Sequence, residues 1–222
     1  GVNITTGKFN QIIGSALSGV AGAAGEALTT GCCNVALGNG ALKLTTTSNS
    51  NTAVGTIAMA ANTTGTANTA VGALALDANT TANNNTAVGN LSATGNTTGT
   101  NNSALGFQSF VTNTTGSGNV AIGVNSLYAN TTASNNTAIG LSALEANTTG
   151  IDNTAVGALS LDANTTGSQN IAIGKCSLTA NTTASNNVAA GHRSMETNTT
   201  GSANVAIGEQ TLRYNTTASN NT

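Results

Sequence analysis

The chain has no proline and no tryptophan. Aromatic residues make up 2% of its 222 residues and charged residues 5%. Each shortage excludes something. Five Lys and Arg cannot form a basic surface that neutralises phosphates, so nucleic acid is not an expected partner. A net charge of −2 with 38% hydrophobic residues argues against a chain held open by self-repulsion. No apolar run approaches the roughly eighteen residues of a membrane-spanning helix. The apolar pieces of the first 27 residues (Ile12, Ile13, Leu17, Val20) are broken by Gly and Ser, and no signal peptide is read there. The single histidine, His192, lies beside Arg193 after Gly191. It reads as a solvated side chain, because no second His or suitable Cys stands by to form a nucleophile–base pair. Cys32, Cys33 and Cys176 have no metal-ligand spacing. They read as replacements for small residues in loops, with inter-chain disulfides as the sharper alternative. No catalytic residue, metal or cofactor is expected.

What the chain does contain is Asn, Thr, Gly and Ala, in a fixed order. Asn34, Asn51 and Asn68 begin a series that recurs every seventeenth residue as far as Asn221. Eleven complete units result, and a twelfth begins. Position 1 of the unit is Asn, position 3 is always Ala (Ala36 to Ala206), position 5 is always Gly, and positions 13 and 14 are always Thr-Thr. Position 4 is Val, Ile or Leu except at Ala190, and position 9 is Leu, Met or Phe except at Ala93. Residues 1–33 use the same vocabulary less regularly. Asn10 lies 24 residues before Asn34, which is one seventeen-residue period plus an insertion of seven. Two regions follow: an irregular N-terminal coil over 1–33 and a regular repeat array over 34–222.

A fixed period is the mark of a solenoid. Helix is a poor fit, because Gly, Asn and Thr are weak helix formers and no apolar pattern recurs at three and four. Alternation as in Asn204-Val205-Ala206-Ile207-Gly208 suits a short strand, with Val205 and Ile207 on one side. A second strand is expected around the position-9 residue, as in Gln210-Thr211-Leu212-Arg213. The fold class is therefore all-β, a parallel β-solenoid of seventeen-residue coils. At a strand spacing of about 4.8 Å, twelve or thirteen coils give a rod roughly 60 Å long. Two or three buried aliphatic side chains per coil contribute about 1.5–3 kcal/mol each. Ordering each residue costs about 1–2 kcal/mol, so a single rod has a thin core. The small-residue side (Asn, Ala, Gly) looks shaped for a close neighbour, and association of several chains, three above all, is expected.

Asn119-Val120-Ala121-Ile122-Gly123, Asn170-Ile171-Ala172-Ile173-Gly174 and Asn204-Val205-Ala206-Ile207-Gly208 resemble the Val-Ala-Ile-Gly motif of trimeric autotransporter adhesins, in their YadA-like head. The Asn-Thr-Ala-Val-Gly and Asn-Thr-Thr-Gly wording also resembles repeats of phage tail-fibre and related surface-fibre proteins. The resemblance covers residues 34–222 and loosely 3–33. It implies a left-handed β-roll, a trimer, and an extracellular place on a cell surface or virion. The adhesin repeat is usually about fourteen residues, so the seventeen here depart from it.

Three features bear on function. Ile57, Leu74, Leu91, Phe107, Val124 and Leu141 form an apolar stripe at positions 6 and 7, a candidate inter-chain contact or adhesive surface. Asn-Thr-Thr recurs at Asn62, Asn79, Asn96, Asn113, Asn130, Asn147, Asn164, Asn181, Asn198 and Asn215. This is the N-glycosylation acceptor pattern, and equally a turn with its own Asn ladder. Asp77, Glu145, Asp162 and Glu196 share position 10 and read as a solubilising outer column. The leading expectation is a structural fibre or adhesin segment. A self-assembling filament subunit with head-to-tail stacking is the first alternative, and an ice-binding Thr array the second.

Overall fold

The computed structural model describes residues 7–14 and 22–222, and among them there is no helix. The chain divides into two compact units, Gly1–Thr115 and Gly116–Thr222. Unit 1 holds β1 (Gln11–Ile13), β2 (Val35–Leu37), β3 (Thr52–Val54), β4 (Thr69–Val71), β5 (Thr86–Val88) and β6 (Ser103–Leu105). Unit 2 holds β7 (Val120–Ile122), β8 (Thr137–Ile139), β9 (Thr154–Val156), β10 (Ile171–Ile173), β11 (Val188–Ala190) and β12 (Val205–Ile207). Each strand is three residues long and covers positions 2 to 4 of a repeat. Within each unit, consecutive strands pair in parallel with like positions in register, as in Ala53↔Ala70 and Ala70↔Ala87 in unit 1 and Ala155↔Ala172 and Ala172↔Ala189 in unit 2. The architecture is a parallel β-solenoid of seventeen-residue coils.

The interior is made of the invariant positions. The position-3 alanines are buried, Ala53 and Ala172 completely. The position-1 asparagines are also buried and form a ladder. The side-chain oxygen of Asn51 accepts the backbone N–H of Asn68 at 3.0 Å and its side-chain amide at 3.2 Å. Asn153 does the same for Asn170, at 3.0 and 3.1 Å. A second ladder rises at position 12, where Asn79 donates to Asn62 at 3.0 Å and Asn164 to Asn147 at 2.9 Å. The two ladders meet on one carbonyl. Gly65 O accepts from Asn51 at 2.9 Å and from Asn62 at 3.1 Å, and Gly167 O accepts from Asn153 and Asn164, both at 2.9 Å. Both lone pairs of that carbonyl are thereby used. A buried carbonyl left without donors would cost about 1–3 kcal/mol.

This sidedness corrects two expectations. The Asn–Ala–Gly side of the strand is the coil's own core, not a surface awaiting another chain. The aliphatics of positions 2 and 4 point outward, as Ile122, Ile139, Ile173 and Ile207 show by their exposure. Nine of the eleven regular coils bury one large side chain at position 9: Leu42, Met59, Leu76 and Phe110 in unit 1, and Leu127, Leu144, Leu161, Leu178 and Met195 in unit 2. Ala93 stands one coil from Phe110, so a small residue neighbours the largest in the core.

The expected second strand is a turn. Ala58 N–H donates to Gly55 O at 3.4 Å, Ala60 to Ile57 at 3.3 Å, and Asn62 to Met59 at 3.2 Å. The intervening N–H groups bond along the stack instead, Ile57 to Asn39 O at 2.8 Å and Met59 to Ala75 O at 2.9 Å. Positions 7 and 9 have positive φ, 61° at Ile57 and 51° at Met59. Alternating backbone hands turn each successive N–H first into the coil and then along the stack. A non-glycine residue in this region costs about 1–2 kcal/mol. At position 9, burial of a Leu or Met recovers about 1.5–3 kcal/mol. The corner before this turn needs glycine. Gly72 has φ +141°, and a Cβ there would collide with the carbonyl of Gly89 in the next coil.

The N-terminal coil keeps the frame of the others. Asn34 donates its backbone N–H to Asn10 Oδ1 at 2.9 Å and its side-chain amide to the same atom at 3.1 Å. β1 pairs with β2 through Ile12↔Ala36. Leu28, where regular coils carry the second-ladder Asn, is buried, and Gly25 takes the place of the position-9 residue with φ +55°. Between Gly14 and Ala24 lie nine residues where a regular coil has two, which puts the seven-residue insertion there. Residues 15–21 within it, including Leu17 and Val20, lie outside the described residues.

Candidate functional surface

With the invariant residues turned inward, function has to come from the outward columns. The first two are positions 2 and 4 of the strands. In unit 1 they carry Thr52, Thr69 and Thr86 beside Val54, Val71 and Val88, half-buried to exposed. In unit 2 Thr137 and Thr154 hold position 2 of β8 and β9, and the other places are aliphatic, with Ile171 39%, Ile173 46%, Val205 38% and Ile207 72% exposed. No charged residue occupies either position in any coil.

The Thr-Thr pair splits in two. Position 13 faces the next coil. Thr63 Oγ1 donates to Thr80 O at 3.1 Å and Thr148 Oγ1 to Thr165 O at 2.9 Å. Position 14 faces out, as at Thr64, Thr81 and Thr98 in unit 1 and Thr149, Thr166, Thr183 and Thr200 in unit 2. One exposed Thr column per unit therefore comes from this pair.

The ten acceptor-pattern asparagines form the second ladder. Asn62, Asn79, Asn96, Asn113, Asn130, Asn147, Asn164, Asn181 and Asn198 are fully buried. Asn215 is half-buried and still donates to Asn198 at 2.9 Å. The amide nitrogen that a glycan would occupy donates inside the coil, for example Asn181 to Ala184 O at 3.1 Å. The nine from Asn62 to Asn198 are thereby enclosed in the stack. The ladder gives the recurring Asn a structural role in the stack.

The apolar stripe belongs to two columns. Ile57, Leu74 and Leu91 stand at position 7 and are half-buried, while Phe107, Val124 and Leu141 stand at position 6 and are 46%, 41% and 53% exposed. Only the position-6 members present much apolar area to solvent. Later in unit 2 the same column carries His192 and Glu209, whose Nδ1 and Oε1 lie 3.4 Å apart.

Position 10 is half-buried, not fully outward. Burial raises the Asp77 carboxyl above its ordinary 3.8, opposed by hydrogen bonds from the Thr94 hydroxyl and backbone N–H groups. Burial also raises Asp162, and the negative charge of Glu145 adds to the effect. Asp162 Oδ1 is buried without a hydrogen-bond partner. Glu196 differs in being paired. Its carboxylate takes Arg213 Nε at 2.6 Å, with Arg193 Nε at 3.5 Å. The Glu196 hydrogen bond raises the Arg213 pKa further above its already high ordinary value.

The three cysteines are free thiols, Cys33 exposed and Cys32 and Cys176 half-buried. The hydrogen bond with Cys32 raises the Cys33 pKa. Among the described residues no three His, Cys, Asp or Glu side chains gather as metal ligands, and there is no pocket. No family model, curated protein or solved structure matches the chain.

Sequence reasoning missed the strand threonines. Their signal was variability. Position 2 changes among Thr, Val, Ile and Ser while its neighbours Asn and Ala never change, and a column held constant by stacking is an inward one.

Proposed function

We propose that this chain is a structural fibre segment, a β-solenoid that provides reach and attachment outside the cell, on a cell surface or virion. One observation carries the reading. The invariant side-chain positions are spent on holding one coil to the next, through the two Asn ladders and the position-13 Thr bonds. What repeats is the means of stacking, as in a protein whose length and stiffness are its product. The outward columns vary from coil to coil, which suits attachment surfaces that differ along a shaft.

The resemblance to YadA-like heads adds that three chains associate side by side. The exposed Ile and Val residues of unit 2 supply apolar area for such an association. An adhesive role follows from the same exposed columns. The chain works without catalysis in this reading.

The native mass in solution, with electron microscopy of the same material, tests it. Rods of fixed length with a mass of three chains are expected. Indefinite fibres would replace the discrete segment by a self-assembling filament. A single-chain mass would remove the trimer.

A further inference from the structure

Every hydroxyl of the position-13 Thr column cited above is bound to a carbonyl. The strand threonines of unit 1 are different. The hydroxyls of Thr52, Thr69 and Thr86 have no hydrogen-bond partner among the described residues, and their side chains are half-buried to exposed. They stand in strict register, Thr52↔Thr69↔Thr86, with Val54↔Val71↔Val88 alongside. Neighbours in a column are about 4.8 Å apart, and the two columns, two residues apart along the strand, are about 6.6 Å apart. The result is a rectangular grid of methyl groups and free hydroxyls without a charge. Its backbone is fixed from behind by the Asn51–Asn68–Asn85 ladder.

The chemistry of this grid rules out most partners. It has no positive charge for phosphate or nucleic acid. It has no aromatic side chain on which a sugar ring could stack. Taken over all six strands of unit 1, β1 to β6, the uncharged face spans about 29 by 10 Å from strand spacing and rise. That is on the order of 300 Å², well short of the roughly 800 Å² per partner that a stable protein interface buries. What suits a small, uncharged and periodic array is a partner that is itself uncharged and periodic, and that donates and accepts hydrogen bonds at a hydroxyl while packing against methyl groups. Ordered water has those properties.

We infer that the outward Thr–Val face of β3, β4 and β5 is an ice-binding surface, its ligand the lattice of crystalline water. The proposal does not depend on the fibre reading. It assigns ice to the strand threonines and not to the Thr-Thr pair, whose position-13 hydroxyls are already bonded.

The test is thermal hysteresis and ice-crystal shaping by the full chain, with far-UV circular dichroism and solution mass measured on the same samples. The parent is expected to shape ice and depress its growth temperature. Thr69→Lys with Val71→Lys, which places charge in the middle of the grid, is expected to abolish both effects with spectrum and mass unchanged. Thr183→Lys, on the exposed position-14 column of unit 2, is expected to change neither. Should the double variant misfold, Thr69→Val alone, which keeps the shape and removes one hydroxyl, is expected to reduce the hysteresis. A folded parent with no effect on ice would overturn the proposal, and so would a double variant as active as the parent. A change of mass in the double variant would overturn it too, by making this face a chain-to-chain contact.

Discussion

In unit 1 the strand face carries Thr52, Thr69 and Thr86 beside valines, while unit 2 has only Thr137 and Thr154 there, beside Ile139 and Val156, before Ile171 and Val205 stand beside Ile173 and Ile207. At position 10, unit 1 has Asp77 near the Thr94 hydroxyl, whereas unit 2 has Asp162 next to Glu145 and Glu196 in an ion pair. Behind these differences the interiors repeat each other almost atom for atom, down to two Asn amides on one carbonyl. The lesson is about constraint. An inward side chain must satisfy the coils above and below it, so it cannot change alone. An outward one answers only to solvent and partners.

If the interiors are equivalent, the same cut should hurt both units equally. Asn68→Leu in unit 1 and Asn170→Leu in unit 2 each strand the next Asn N–H and remove one of the two donors to a position-15 carbonyl, which keeps the other from Asn79 or Asn181. Each is expected to cost about 1.5–4.5 kcal/mol, from one unsatisfied buried donor at about 1–3 kcal/mol and one lost hydrogen bond at about 0.5–1.5 kcal/mol. Urea denaturation followed by circular dichroism should give matching losses. A loss in one unit only would break the equivalence.

The largest asymmetry inside the core is Phe110, which only unit 1 has. Phe110→Ala would leave a cavity beside Ala93 and is expected to cost about 3–5 kcal/mol. Ala93→Leu in that background should recover part of it, because the two positions share one space. If the double variant is no more stable than Phe110→Ala, the pairing of small with large is wrong.

Smaller effects sharpen the exterior. Asp77 and Asp162 have folded pKa values raised above 3.8. Their stabilising contribution is therefore full below the unfolded value and is lost as pH rises through the folded one. Burial disfavours the charged form of both. Asp162→Asn is expected to raise the melting temperature at pH 7 and to give no gain below 3.8. Asp77→Asn should show a smaller version, since the Thr94 hydroxyl already relieves that charge. Equal gains would remove the role given to Glu145. Smallest of all, Glu196→Gln loosens a partly buried pair with Arg213 at the surface. Salt screens such pairs, so its effect on the melting temperature should fade between low and physiological ionic strength.

Much of this was legible in the sequence. The constant Asn, Ala, Gly and Thr columns announced stacked coils, and Asn10 marked the N-terminal coil despite its insertion. The turn at positions 7 and 9 was not legible. Leu and Met do not favour positive φ, and nothing in Leu74-Ala75-Leu76 signals it. The free strand hydroxyls were hidden for a related reason. Alternation says that Thr69 and Val71 share a side, but it does not say which side is wet.

The sequence alone determined the period, and with it the register, because only an unbroken seventeen-residue step lets like side chains meet along a stack. The tertiary structure alone decided which way the strand faces. Hydrophobicity favoured Val and Ile inward. The folded coil puts Asn and Ala there, because a single coil encloses room for one large side chain, and its inward carbonyls need the amide donors that only asparagine brings.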